Sequence, residues 1–197
     1  LSTQELDSVY DLPFSRKPHP SYGDARIPAY DMIKTSVTIM RGCFGGCAFC
    51  SIAAHEGRII QSRSPESIER EVLAICQDQP KGKASISDIG GPSANMYRMG
   101  GKNTDICRKC TKPSCLVPKI CKNLNTDHQP TIDLYRKIRA LPPVKHAFIG
   151  SGVRYDLALR SPEYIQELAK YHTSGYLKIA PEHVNNDVLS LMLKPEV

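Results

Sequence analysis

The chain has 197 residues, 41% of them hydrophobic and 23% charged, with 26 Lys and Arg against 20 Asp and Glu. That balance fits one ordinary domain or a piece of a larger one, and it excludes a disordered polyelectrolyte. No apolar run approaches the roughly 20 residues of a membrane helix, and residues 1–20 are too polar and Pro-rich for a signal peptide, so a cytoplasmic location with no membrane partner is expected.

In chain order, residues 1–35 carry Pro13, Pro18, Pro20 and Pro28 with little periodicity and read as an extended N-terminal arm. Residues 36–40 (S-V-T-I-M) are β-branched and strand-like. Ser64-Pro65-Glu66 supplies an N-cap, a proline at the first helical position and a first-turn acid, with Ile68, Val72 and Ile75 as the apolar stripe. Cys76 falls on the same stripe and reads as packing. Residues 84–89 form a second short strand candidate ending in Gly90-Gly91-Pro92, and Leu134, Ile138 and Leu141 mark an amphipathic helix closed by Pro142-Pro143.

Residues 147–149 are the third strand candidate, followed by Gly150-Ser151-Gly152. Ser161-Pro162-Glu163 then repeats the earlier helix start, with Ile165, Leu168 and His172 on one face. Residues 176–180 make a fourth strand, and Val184, Val188 and Leu191 or Met192 space a last helix. Four strand-loop-helix units predict an α/β fold, a partial (β/α) barrel over residues 36–197 with right-handed crossovers. Residues 97–130 break the repeat and read as a Cys-rich basic insertion after the second strand. The start at Leu1 and the finish just after a helical pattern read as those of a chain cut from a longer protein.

Ligands in parallel α/β folds sit at the carboxyl ends of the strands, which places the loops 42–50, 90–93, 150–154 and 181–183 on one rim. Arg154 stands among glycines, where its guanidinium can clamp a carboxylate of a cofactor or pair with Asp156. Glu182 and His183 can hold a ribose or move a proton, and Glu182 can instead cap the helix that follows.

Seven of the eight cysteines fall into two tight groups, and with no export signal metal or cluster ligation is favoured over disulfides. Cys43, Cys47 and Cys50 form a C-x3-C-x2-C loop directly after a strand. A structural zinc needs four closed ligands, with a remote group such as His55 as the fourth, whereas three cysteines on a four-iron, four-sulfur cluster leave one iron open. Cys107, Cys110, Cys115 and Cys121 supply four thiols in fifteen residues, a set that fits either a structural zinc or a second iron-sulfur cluster. His128 can replace one of them or be an ordinary loop residue. Between 98 and 122 seven basic residues meet one acid, Asp105, so this stretch carries the whole net charge of +6. That charge can offset metal-bound thiolates or attract RNA.

Cys43, Cys47 and Cys50, with Phe49 before the third cysteine, resemble the signature of radical S-adenosylmethionine enzymes. The runs 41–58, 88–92, 151–156 and 178–183 are similar to the YgiQ-type proteins of that superfamily over nearly the whole chain. The resemblance implies a barrel of about six units. It also implies a four-iron cluster whose open iron takes the amino and carboxylate groups of S-adenosylmethionine, and an electron donor such as a flavodoxin or ferredoxin. The cofactor is then cleaved to methionine and a 5′-deoxyadenosyl radical that acts on an unknown substrate. Phe49 would lie by the adenine, Gly90, Gly91 and Ser93 at the amino group, and Ser151 and Arg154 in the third cofactor-binding loop. Two alternatives stand beside this reading: a methylthiotransferase-like enzyme that modifies RNA, and a non-enzymatic nucleic-acid-binding module with two zinc sites.

Overall fold

The computed structural model describes residues 1–196. Its parallel strands follow chain order. Ser36–Thr38 pairs with Asp88–Gly90, and Ala84–Ile86 pairs with Val144–Ala147. The backbone extends both pairings, since Ile39 N donates to Gly90 O at 2.8 Å and Phe148 N to Ile86 O at 2.9 Å. Residues 84–90 therefore lie between the first strand and the third. A parallel bridge between Val153 and Ile179 adds a fourth position. Among the described residues the strands do not close into a ring.

Parallel neighbours need crossovers, and helices supply them. Pro65–Gln77 links the first strand to the second, and Gln129–Arg139 the second to the third. Pro162–Glu167, continued by a π-helical turn at Leu168–His172, leads towards the fourth position. Both Ser-Pro-Glu starts behave as expected: Ser64 Oγ accepts from Ser67 N at 3.1 Å, and Ser161 Oγ accepts from Tyr164 N at 3.2 Å. Ile68, Val72, Ile75 and Cys76 on one helix face are buried in the same core as Ile39, Ile86 and Ile89. Each such aliphatic side chain stabilises the fold by about 1.5–3 kcal/mol.

Several elements differ from the sequence reading. Residues 1–35 are not simply extended: they contain helices Thr3–Tyr10 and Pro28–Ile33. The first is closed by a capping box in which Ser2 and Glu5 satisfy each other's backbone N–H groups. Its residues dock on the domain, with Asp7 accepting from Ser64 N at 3.0 Å and the Tyr10 ring 4.0 Å from the buried Arg63 guanidinium. The third strand runs over Val144–Ala147, ahead of the expected 147–149. Around 176–180, among the described residues, a single bridge to Val153 forms in place of a strand, and Tyr176 is 91% and Ile179 52% exposed. The last helix is Asn186–Leu191, which leaves Val184 outside it and exposed.

Residues 97–130 hold one antiparallel pair, Gly100–Gly101 with Leu124–Asn125, and the short helix Thr104–Arg108. A second antiparallel pair, Met40–Arg41 with Gln61–Ser62, closes the base of the first cysteine loop.

Candidate cofactor and metal site

The first cysteine loop leaves the sheet at Arg41 and returns to it at Gln61. It is held at both shoulders. Gly42 N donates to Glu56 Oε2 at 3.0 Å, Glu56 Oε1 takes Arg41 at 3.0 Å, and Cys43 N donates to Gly57 O at 3.0 Å. Gly42 and Gly46 have φ of +89° and +66°, and a Cβ on Gly46 would stand 2.0 Å from Pro113 O. Only glycine fits such a left-handed, tightly approached position.

The three thiols are half-buried, and two of them receive N–H groups. Gly45 N donates to Cys43 Sγ at 3.4 Å, and Arg154 Nη1 to Cys47 Sγ at 3.6 Å. Burial pushes the Cys43 thiol up, against the pull of Gly45 and Arg154. Loading a metal there must therefore displace a proton. Among the described residues no three His, Cys, Asp or Glu side chains converge tightly enough to enclose a single ion. His55 is exposed and does not complete such a set. The donor set, three thiols on one loop with N–H groups aimed at sulfur, fits a cluster gripped at several corners.

Arg154 is 5% exposed and fully engaged: Nε and Nη2 meet the two Asp156 oxygens at 3.0 and 2.7 Å, which leaves Nη1 for Cys47. Of the two roles considered for Arg154, the ion pair with Asp156 is present, and it is buried rather than superficial. Burial disfavours the Arg154 charge, but Asp156 and the neighbouring thiols more than offset it.

Behind Arg154 lies a link with no sequence signal. Asn95 takes Arg154 N on Oδ1 at 2.8 Å and donates Nδ2 to Arg154 O at 3.0 Å. The same Nδ2 lies 3.2 Å from His128 Nε2, whose Nδ1 faces Thr126 O at 3.1 Å. Thr126 O only accepts, so Nδ1 carries the proton and Nε2 accepts from Asn95. His128 is thus neither a metal ligand nor a loop surface residue; it is buried and fixes Asn95.

Asp88 does similar work on the neighbouring rim. It accepts from Gly150 N at 2.8 Å, Ser151 N at 3.1 Å and Ser151 Oγ at 2.5 Å, tying the second and third loops together. Gly90, Gly91, Pro92 and Ser151 line a cavity of about 270 Å³ with Arg41, Glu56 and Ile52 of the cysteine loop. That volume is close to the low end of small-molecule pockets, about 300 Å³. Of the expected cofactor-binding residues, Gly90, Gly91 and Ser151 therefore share one cavity. Ser93 is buried beside Asn95, at 3.5 Å, and Phe49 is 55% exposed on the first cysteine loop.

Glu182 and His183 lie on an exposed loop. Glu182 does not cap the following helix, because Asn185 does so by accepting from Asp187 N and Val188 N; Glu182 instead faces the buried Lys194 at 3.5 Å. His183 Nδ1 accepts from Asn185 N at 2.9 Å. Glu56, Asp88 and Asn95 are the site residues that motif spacing missed. For Glu56 and Asp88 the available signal was a carboxylate beside glycines whose N–H groups need acceptors.

The family model described as Radical SAM N-terminal matches residues 1–36, and that described as Radical SAM superfamily matches residues 37–196. A UPF0313 protein of Rhodopseudomonas palustris is 61% identical over 100% of the chain and 29% of its own length. One of Chromobacterium violaceum is 63% identical over 99% of the chain and 26% of its own length, and one of Pseudomonas aeruginosa 58% over 100% and 26%. The chain spans less than a third of the length of these relatives.

Proposed function

The chain belongs to the radical SAM superfamily, whose domain implies an iron-sulfur enzyme that uses S-adenosylmethionine, and from that premise we propose that Cys43, Cys47 and Cys50 hold a four-iron, four-sulfur cluster on three of its irons. When bound, the cluster supplies one electron and one open coordination position for reductive cleavage of S-adenosylmethionine to methionine and a 5′-deoxyadenosyl radical, which abstracts hydrogen from a substrate. The observation that carries this reading is the loop itself: three cysteines on a loop that follows the first parallel strand and whose Arg41, Ile52 and Glu56 share a cavity with Gly90, Gly91 and Ser151.

The remaining roles follow from position. Backbone groups of Gly90 and Gly91 receive the cofactor's amino group, Ser151 its carboxylate side, and Phe49 its adenine, while Ser93 supports the Gly90-Gly91 loop through Asn95. With two nitrogens committed to Asp156, Arg154 donates its third to the Cys47 sulfur and stabilises that thiolate. Glu182 and His183 face solvent and take the ribose or a proton at the mouth. Enzymes of this superfamily generally need an electron donor, and a flavodoxin or ferredoxin fills that role. The architecture is read as part of a (β/α) barrel, with residues 97–130 as a Cys-rich insertion on the loop side. Membership of the superfamily supports this enzyme over a zinc-containing nucleic-acid module.

Cys47→Ala tests the assignment. Three thiolates on one cluster leave no spare protein ligand, so the anaerobically reconstituted variant should form no 5′-deoxyadenosine above background. Cleavage retained by Cys47→Ala would refute the ligand set.

A further inference from the structure

The second cysteine group stands apart from the site above in sequence but not in space. Cys107, Cys110, Cys115 and Cys121 all line one cavity of about 490 Å³, walled on its apolar sides by Phe44, Ile60, Ile106 and Leu124. The segment is folded by its own backbone: Cys110 N donates to Cys107 O at 3.1 Å and Cys121 N to Cys115 O at 2.8 Å. Arg58 crosses from the first loop to bind the carbonyls of Lys112 and of Cys110, the latter at 2.8 Å. Asn123 Nδ2 donates to Cys107 Sγ at 3.2 Å.

Two spacings separate the candidate occupants. A tetrahedral zinc at about 2.3 Å from each sulfur brings the four sulfurs within about 3.8 Å of one another. Among the described residues no group of three or more His, Cys, Asp or Glu is arranged to hold a single metal ion, and these four cysteines line one cavity. The cavity they line, about 490 Å³, has room for a group larger than one ion. Sulfurs that ligate different irons of a cube stand farther apart around a larger volume, and hydrogen bonds to their sulfurs are a regular feature of such sites.

We propose that Cys107, Cys110, Cys115 and Cys121 bind a second four-iron, four-sulfur cluster, fully ligated by protein and packed directly against the loop of the first cysteine group. The packing is explicit. Cys115 N donates to Phe44 O at 3.0 Å, Ser114 Oγ donates to Gly45 O at 2.6 Å, and Gly46 lies against the Pro113 backbone. One residue and one hydrogen bond therefore join Cys115 to Cys43. Full ligation by four thiolates leaves no open iron, so this cluster does not take S-adenosylmethionine. The site stands on its own residues and does not depend on what the first group binds.

The test is iron, sulfide and zinc analysis of the whole protein reconstituted without oxygen, with EPR of the reduced samples. The wild type should hold about eight irons and eight sulfides, and Cys107→Ser with Cys110→Ser about four of each. The EPR signal of the wild type should be broadened by spin coupling relative to that variant. Should the double variant fail to fold, the complementary Cys43, Cys47 and Cys50→Ala protein decides: about four irons retained supports the second cluster, and none retained refutes it. About four irons in the wild type that Cys107→Ser with Cys110→Ser retains in full, with one zinc or without, overturns the proposal. If the double variant keeps its four irons but S-adenosylmethionine leaves their EPR signal unchanged, the function proposed for the first group fails while the second cluster stands.

Discussion

Gly46 shows how much one missing Cβ contributes. Its φ of +66° disfavours any other residue by about 1–2 kcal/mol, and a methyl group 2.0 Å from Pro113 O adds an overpacking cost of about 1–3 kcal/mol. Gly57, with φ of +92° and nothing within 4 Å of its added Cβ, meets only the first cost. Gly46→Ala should therefore destabilise the protein by about 2–5 kcal/mol in urea unfolding, and Gly57→Ala by about 1–2 kcal/mol. Equal losses would show that contact with Pro113 does not hold the two cysteine segments together. The cysteines were legible because ligand spacing is local. The hydrogen-bond chain from His128 through Asn95 to Arg154 was not, because its links span 33 and 59 residues.

At the scale of elements, that chain carries a pH dependence. Burial lowers the pKa of His128 below the ordinary 6.5, with only partial opposition from Thr126 O and Asp127, and the Tyr164 ring packs 4.6 Å away. Since the folded value lies below the unfolded one, the unfolded chain binds more protons in the interval between them. The stability His128 contributes is thus complete above pH 6.5 and is lost as pH falls through that interval. Urea midpoints measured from pH 7.5 down to 5 should fall, and His128→Gln should flatten the slope whatever its stability at pH 7.5. An unchanged slope in His128→Gln would remove this group from the account. Both Ser-Pro-Glu starts were readable for a related reason: a cap satisfies N–H groups three residues away. The same rule, applied to Ser2 and Glu5, would have found the helix Thr3–Tyr10, which the nearby prolines obscured. Strand Val144–Ala147 was misplaced because its burial does not alternate: an irregularity in the pairing leaves Lys145 and His146 both exposed between buried Val144 and Ala147.

On the scale of the whole molecule, parallel pairing in chain order brings the four loops to one side. Asp88 joins the second to the third, Arg154 reaches the first, and Met192 O takes Ala48 N at 3.0 Å next to the fourth. Residues 1–35 add a docked layer: Asp11 pairs with Arg70 at 2.9 Å, and Arg16 bonds Ser36 O at 2.5 Å and pairs with Glu71. The order of the units could be read from repeated strand and helix signals, whereas this docking depends on partners some 55 residues apart that no local pattern marks. The central claim, an iron with a free coordination position at Cys43, Cys47 and Cys50, is tested most directly by low-temperature EPR of the anaerobically reduced protein with and without S-adenosylmethionine. The expected result is a shift of the first cluster's signal on addition of the cofactor, with methionine and 5′-deoxyadenosine formed in equal amounts; a signal that does not respond, with no cofactor consumed, would contradict it.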